Sequence, residues 1–197
     1  MSDDATRAPI ERIVTDVATK LFTESTTSPR TRLAVIDGPS GSGKSTFAHL
    51  LKDELKLLSA TVQVVNLDYL YEGWDGLSSP NFESHVESWI GLPVRHGLPV
   101  NYPSYNWETH SFDAWQQLPE SDCLIVEGVG ALLPALATVA TCRIWLYAAQ
   151  NTRAQRLTMR SGPNLDDWWP QWRKQEDDYF RRHEPWKSAD WLVRTDE

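Results

Sequence analysis

The stretch Arg32-Leu33-Ala34-Val35-Ile36-Asp37-Gly38-Pro39-Ser40-Gly41-Ser42-Gly43-Lys44-Ser45-Thr46 decides the fold. Arg32 to Ile36 is a short apolar run that is β-branched at its end, which predicts a buried strand, and Asp37-Gly38 turns it sharply. From Lys44 onward Phe47, Leu50, Leu51, Leu55 and Leu58 recur at helical spacing, so a helix with one apolar face follows. Between strand and helix stands the pattern G-x-x-x-x-G-K-[ST], met by Gly38, Gly43, Lys44 and Ser45, with a further glycine at Gly41. Glycines let the backbone wrap closely, so that successive N–H groups converge on an anion, and the helix start adds its positive dipole end. Lys44 can bridge terminal phosphates as a point charge, and the Ser45 hydroxyl is a hard oxygen suited to Mg²⁺. These residue types predict a polyphosphate cradle built from Gly38, Ser40, Gly41, Ser42, Gly43, Lys44, Ser45 and Thr46, with ATP and Mg²⁺ as its ligands.

Working outward, Ile10 to Leu21 has the apolar spacing of an amphipathic helix, and residues 25–30 read as a polar linker. Val62 to Leu67, Asp122 to Glu127, Arg143 to Tyr147 and Trp191 to Val193 read as further strands, with helices over Thr152 to Arg160 and Trp168 to Arg182. Apolar strands alternating with helices imply a parallel sheet covered on both faces. The expected fold class is therefore α/β: a three-layer P-loop NTPase fold with a five-stranded parallel sheet and a small helical lid near residues 156–172. Residues 1–9 read as a flexible tail and 10–197 as one domain. Tyr71 to Leu118 is rich in proline and aromatic residues and shows no clear period; a long irregular segment inside a compact domain is usually functional.

Composition narrows the partners. The chain has 197 residues, enough for one domain with a sizeable core. Nineteen basic against 27 acidic residues leave a charge of −8, which argues against nucleic-acid binding, since that needs a basic face. No apolar run approaches the roughly 18–20 residues that span a bilayer, and residues 1–9 lack a signal-peptide core, so no membrane partner and a cytoplasmic location are expected. Cys123 and Cys142 both fall in strand-like apolar runs and read as buried reduced thiols. A homo-oligomer is left open.

A second metal-side group is expected at the end of a buried strand beside the cradle, and Glu127, after Leu124-Ile125-Val126, fits. Asp68 ends the strand Val62 to Leu67, and ligands of parallel sheets sit beyond the carboxyl ends of strands. It can accept a proton from an acceptor alcohol, or it can cap a turn. Arg153, Arg156 and Arg160 share one face of a predicted helix; this is a solvated face, or a lid that neutralises a transferred phosphoryl group, with Arg156 and Arg160 the preferred pair. His110 and Tyr105 read as substrate ligands, or as a loop histidine and an interface aromatic. Trp168, Trp169 and Trp172, among ten tryptophans, read mainly as packing and alternatively as a stacking shelf for a planar acceptor.

The chain resembles the uridine kinase, phosphoribulokinase and pantothenate kinase group of P-loop kinases, and uridine kinases most. Asp68-Tyr69-Leu70-Tyr71 resembles the group's D-x-F-Y element, which implies Asp68 as base and Tyr71 as a wall of the acceptor pocket. Val100-Asn101-Tyr102-Pro103-Ser104-Tyr105-Asn106-Trp107-Glu108-Thr109-His110 resembles the V-x-x-P-x-Y-D-x-x-x-H element, implying Tyr105 and His110 as contacts to a base. Ile125-Val126-Glu127-Gly128 is similar to the I-V-E-G strand. Thr152 to Arg160 follows the T-R-x-x-R-x-x-x-R lid entry, and Pro185-Trp186-Lys187-Ser188-Ala189-Asp190 a P-x-K-x-x-A-D element one residue shorter. Asn81-Phe82-Glu83 stands in for N-F-D, making Glu83 a candidate for ribose hydroxyls, with Asp75 an equal one. Asn106, Phe112 and Ser161 depart from the pattern, as does the lack of further lid arginines across Ser161 to Trp169.

The resemblance implies an ATP-dependent kinase for a small-molecule hydroxyl, a nucleoside first and a sugar, ribulose-phosphate or vitamin precursor otherwise. The rivals are a nucleotide switch and a nucleotide-binding module of the same fold without kinase activity. Neither the N-K-x-D element of guanine-specific switches nor the L-S-G-G signature of transporter ATPases occurs in the chain.

Overall fold

The computed structural model describes residues 10–24, 31–161 and 165–196. The tail 1–9, the linker 25–30 and residues 162–164 within the expected lid lie outside the described residues. In chain order the elements are α1 (Ile10–Thr23), β1 (Arg32–Asp37), α2 (Lys44–Leu57), β2 (Val62–Asn66), α3 (Phe82–Val86), α4 (Leu92–His96), β3 (Asn101–Asn106), β4 (Ser111–Gln117), β5 (Cys123–Glu127), α5 (Pro134–Ala137), β6 (Cys142–Tyr147), α6 (Gln150–Ser161), α7 (Leu165–His183) and β7 (Trp191–Arg194).

Five strands pair in parallel, as expected from the sequence, and their order is β2-β5-β1-β6-β7. Their near-continuous apolar runs have a simple cause: both faces are covered. Leu33, Val35, Val65, Leu124 and Val126 point into one core with Tyr71, Phe82, Ile90, Trp172 and Tyr179. Ala34, Ile36, Ile125, Ile144 and Leu146 point into a second core against α1 and α2, through Val17, Leu21, Phe47, Leu51 and Leu55. Cys123 and Cys142 are free and fully buried, and burial pushes their thiols up to about 11 and about 12.

Two features depart from the sequence reading. The first strand after the cradle stops at Asn66, and residues 67–69 coil into a single 3₁₀ turn capped by the Asn66 side chain, which accepts from the Asp68 N–H at 2.7 Å. The stretch from Tyr71 to Leu118 also holds regular structure. α3 and α4 are joined by a π turn at Glu87–Gly91 into one helical run. Its buried residues Phe82, Val86, Ile90 and Val94 recur every fourth position, longer than the 3.6-residue helical repeat, and the wider π turn absorbs that drift. β3 and β4 form an antiparallel hairpin whose second strand, Ser111–Gln117, is exposed along nearly its whole length. With no buried face, it carries no alternating pattern to read.

Candidate active site

The sheet brings three strand ends together. β5 lies between β1 and β2, and Glu127 is in register with both Ile36 and Asn66, so the ends of β1, β2 and β5 deliver the cradle, Asp68 and Glu127 to one edge. That edge opens into a cleft of about 560 Å³, lined by Ser40, Gly41, Gly43, Lys44, Ser45, Thr46, Asp68, Glu127, Arg156 and Arg160 together with four tryptophans.

The cradle owes its shape to where its carbonyls go. Those of Gly38 and Pro39 accept from Lys44 Nζ at 2.8 and 3.2 Å. The Ser40 carbonyl accepts from Arg153 at 3.2 Å, Gly41 from Arg156 at 3.2 Å, and Ser42 from the Thr195 hydroxyl at 2.7 Å. The N–H groups of the first turn of α2, which no preceding turn can pair, have no side-chain cap, and Gly43, Lys44, Ser45 and Thr46 line the cleft. Gly41 and Gly43 have φ of 78° and 92°, which a β-carbon resists. At Gly41 the space is also missing: a β-carbon would lie 2.7 Å from the Arg153 carbonyl oxygen. α6 is docked directly on the loop there.

Ser45 and Glu127 meet, with the hydroxyl donating to Glu127 Oε1 at 2.8 Å. Burial pushes the Glu127 carboxyl up, against the pull of Lys44 and the Ser45 hydroxyl. A hydroxyl and a carboxylate side by side at the foot of a phosphate cradle are hard oxygen donors of the kind Mg²⁺ takes while keeping several of its waters. Among the described residues no group of three or more histidine, cysteine, aspartate or glutamate side chains that could hold a metal ion occurs.

Asp68 is exposed and lines the cleft. Tyr71 lies beside it, fully buried, its hydroxyl donating to the Val129 carbonyl at 2.7 Å. The two preferred arginines of α6 go to different places. The Arg156 guanidinium is engaged by the Gly41 carbonyl and by Thr195, whose hydroxyl and carbonyl accept at 3.0 and 2.7 Å. Arg160, one turn on, is exposed at the cleft. The other substrate candidates lie outside the lining. His110 sits exposed at the tip of the β3–β4 hairpin with φ of 53°. Tyr105 is buried behind Trp107, Asp75 is bonded to Gln171, and Glu83 is exposed on the first turn of α3.

Two carboxylates that sequence reasoning passed over hold the loop in place. Asp37, fully buried at the end of β1, accepts from the N–H groups of Gly38, Gly130 and Leu132 at 2.6, 3.2 and 2.9 Å and from the Tyr179 hydroxyl at 2.7 Å. Glu176 on α7 accepts from the Ser40 N–H at 2.8 Å, from its hydroxyl at 2.5 Å and from Trp172 Nε1 at 3.0 Å. A signal for Glu176 existed: Trp172, Glu176 and Tyr179 fall at i, i+4 and i+7, the inward stripe of α7, and a carboxylate in such a stripe must be paired.

No family model matches the sequence, and no curated protein matches it. Solved structures do. A possible uridine kinase from Bacillus stearothermophilus superposes with a TM-score of 0.66 at 21% identity, over 92% of this chain and 98% of that one. A candidate fructose transport system kinase from a Silicibacter species superposes with a TM-score of 0.68, also at 21% identity, over 94% and 98%. The fold is that of the P-loop kinases. At this identity the likeness carries the architecture alone; the acceptor has to be argued from the cleft. Among the described residues no helix is long and apolar enough to cross a membrane.

Proposed function

We propose that this P-loop kinase fold works as an ATP-dependent phosphotransferase that moves the γ-phosphoryl group to a hydroxyl of a small molecule, a nucleoside before a sugar or a vitamin precursor. One observation supports it above the rest: the cradle, the Ser45–Glu127 pair and the exposed Asp68 share a single cleft. A switch or a simple binding module has no use for a free carboxylate opposite its phosphates.

In this reading the loop N–H groups and Lys44 hold the polyphosphate, and Ser45 and Glu127 hold Mg²⁺, which when bound neutralises phosphate charge. Lys44 already sits on the Gly38 and Pro39 carbonyls, so it needs only a short swing to reach an anion in the loop. Asp68 takes the proton of the acceptor hydroxyl as its oxygen bonds to the γ-phosphorus and the bond to the leaving diphosphate breaks. Arg160 neutralises charge on the transferred group, while Arg156 keeps the loop in shape from behind. The nucleoside preference rests on the resemblance of Asp68 to Tyr71 and of Thr152 to Arg160 to uridine kinases.

Asp68→Asn tests the reading. Mg·ATP affinity measured by calorimetry should stay within about two-fold, while phosphoryl transfer to nucleosides falls by roughly 10²–10⁴, the usual worth of a positioned base. Equal loss of binding and transfer would remove Asp68 from that role.

A further inference from the structure

We propose that Glu176 is a positioning residue that couples the two halves of the cleft. One of its carboxylate oxygens holds both Ser40 of the cradle and Trp172 of the aromatic wall, so that filling the cradle steadies the segment Gly73–Ser78 and, through it, Asp68. Its effect on turnover rests on the kinase reading above; the coupling itself does not.

Glu176 is 2% exposed, and a carboxylate so placed must be paired. Three donors meet on its Oε1: the Ser40 N–H at 2.8 Å, the Ser40 hydroxyl at 2.5 Å and Trp172 Nε1 at 3.0 Å. The same indole N–H also reaches the Ser40 hydroxyl oxygen at 3.0 Å, which closes a triangle of bonds among the three residues. The Ser40 carbonyl is taken by Arg153 of α6 at 3.2 Å, so both main-chain groups of Ser40 are held, one by each helix. Gly41, the next residue, has φ of 78° and no side chain to restrict it. The path of the loop at this point is therefore set by its contacts with α6 and α7. Ser40 and Trp172 both line the cleft, and Glu176 acts through them.

α7 carries a second set of anchors beside the first. Gln171 and Gln175 stand one turn apart, as Trp172 and Glu176 do, so two adjacent columns of the helix grip different segments. The Gln175 side chain is buried; it donates to the Trp74 carbonyl at 2.5 Å and accepts from the Ser78 N–H at 2.9 Å. Gln171 donates to the Asp75 carboxylate. Together they hold the 3₁₀ stretch Gly73–Ser78 against α7. Trp74 in turn packs on Trp107 at 5.1 Å, and Trp107 Nε1 donates to the Asp68 carbonyl at 3.2 Å. From Ser40 to Asp68 every step is a hydrogen bond, a ring contact or a pair of adjacent residues on one helix.

Such a chain of bonded groups on a rigid element is what carries coupling between sites. A phosphate bound in the loop fixes the segment to which Ser40 belongs, and openings of a neighbouring segment become rarer when its anchors are fixed. Transfer needs the acceptor oxygen, which Asp68 addresses, and the γ-phosphorus at a set spacing. A misplacement of about 1 Å can cost roughly 10²-fold in rate.

Hydrogen exchange on the full chain, with and without saturating Mg·ADP, reads the coupling without any acceptor. In the wild-type protein Mg·ADP should slow exchange over residues 74–78 by about ten-fold, within the range usual for coupled sites. Glu176→Ala should lose that effect while Mg·ADP still protects the first turn of α2. With uridine as the acceptor probe, its kcat should fall by about 10–100-fold while KM for ATP stays within about three-fold. Glu176→Gln keeps an oxygen for the Ser40 N–H and the indole. It should regain the protection, with kcat within about five-fold of wild type, because it loses only the charge-assisted part of these bonds. A purely structural role would lower stability in Glu176→Ala and leave both the ADP-dependent protection and kcat of the folded protein unmoved. Absence of protection over 74–78 in the wild-type protein overturns the proposal, whether or not Glu176→Ala folds. Protection that survives in Glu176→Ala, or an unchanged kcat, overturns it too, and either leaves the kinase reading standing. Failure of the kinase reading looks different: no acceptor is turned over, yet Mg·ADP protects 74–78 in the wild type and not in Glu176→Ala.

Discussion

Asp37→Ala should be among the most damaging single substitutions in the chain, although Asp37 does not itself line the cleft. The carboxylate is fully buried and collects four donors: the N–H groups of Gly38, Gly130 and Leu132, and the Tyr179 hydroxyl. These tie the end of β1 to the turn after β5 and to α7, so three pieces of the site depend on one side chain. Alanine leaves all four donors without an acceptor, and an orphaned buried donor costs about 1–3 kcal/mol. Part of that is offset. Burial pushes the Asp37 carboxyl up, against the hydrogen bonds from Tyr179, Leu132 and Gly38 and the Lys44 charge, so the carboxylate's own desolvation is recovered when it is removed. Water can also enter the space. The net loss should be about 3–5 kcal/mol. With a urea m-value near 2 kcal/mol/M, the unfolding midpoint should fall by about 2 M. Tyr179→Phe is the control, because it removes one donor and leaves Asp37 with its three N–H partners; its cost should be about 1 kcal/mol. Urea unfolding followed by tryptophan fluorescence and by circular dichroism measures both variants. If Asp37→Ala costs no more than Tyr179→Phe, the carboxylate does not organise these elements and the reasoning fails.

Two glycines of the cradle should respond differently to the same change. Gly41→Ala adds backbone strain and drives a β-carbon onto the Arg153 carbonyl, so it should cost about 2–4 kcal/mol of stability and loosen α6 as seen by hydrogen exchange. Gly43→Ala meets nothing nearer than 3.7 Å, so it should cost only the strain, about 1–2 kcal/mol, and act mainly on nucleotide affinity. The Arg143–Asp190 pair, joined at 2.7 Å, predicts a pH dependence. Burial raises the Asp190 carboxyl, but the Arg143 side chain and N–H outweigh it, so its folded pKa lies below the ordinary 3.8. That contribution is complete above the ordinary carboxylate range and is lost as pH falls through 3.8 toward the folded value. Asp190→Asn should therefore cost about 1 kcal/mol at pH 7, and the difference from wild type should shrink as denaturant unfolding is repeated at progressively lower pH.

The sequence by itself determined the sheet and the cradle, because both are local. Strand runs such as Leu33 to Ile36 and Leu124 to Val126 are apolar throughout, since each residue faces one core or the other, and the glycine spacing from Gly38 to Gly43 encodes a loop that closes within a few residues. The α3–α4 run stayed hidden because a π turn broke its period, and the β3–β4 hairpin because its second strand buries no face. Tertiary structure alone decided what surrounds the cradle. Asp37 with Tyr179, Ser40 with Glu176, and Arg156 with Thr195 are pairs separated by 142, 136 and 39 positions. It also decided that Tyr105 and His110 stay out of the cleft while Trp74, Trp107, Trp169 and Trp172 line it. Which side chains share a cleft depends on how the cores pack, and no spacing along the chain encodes that.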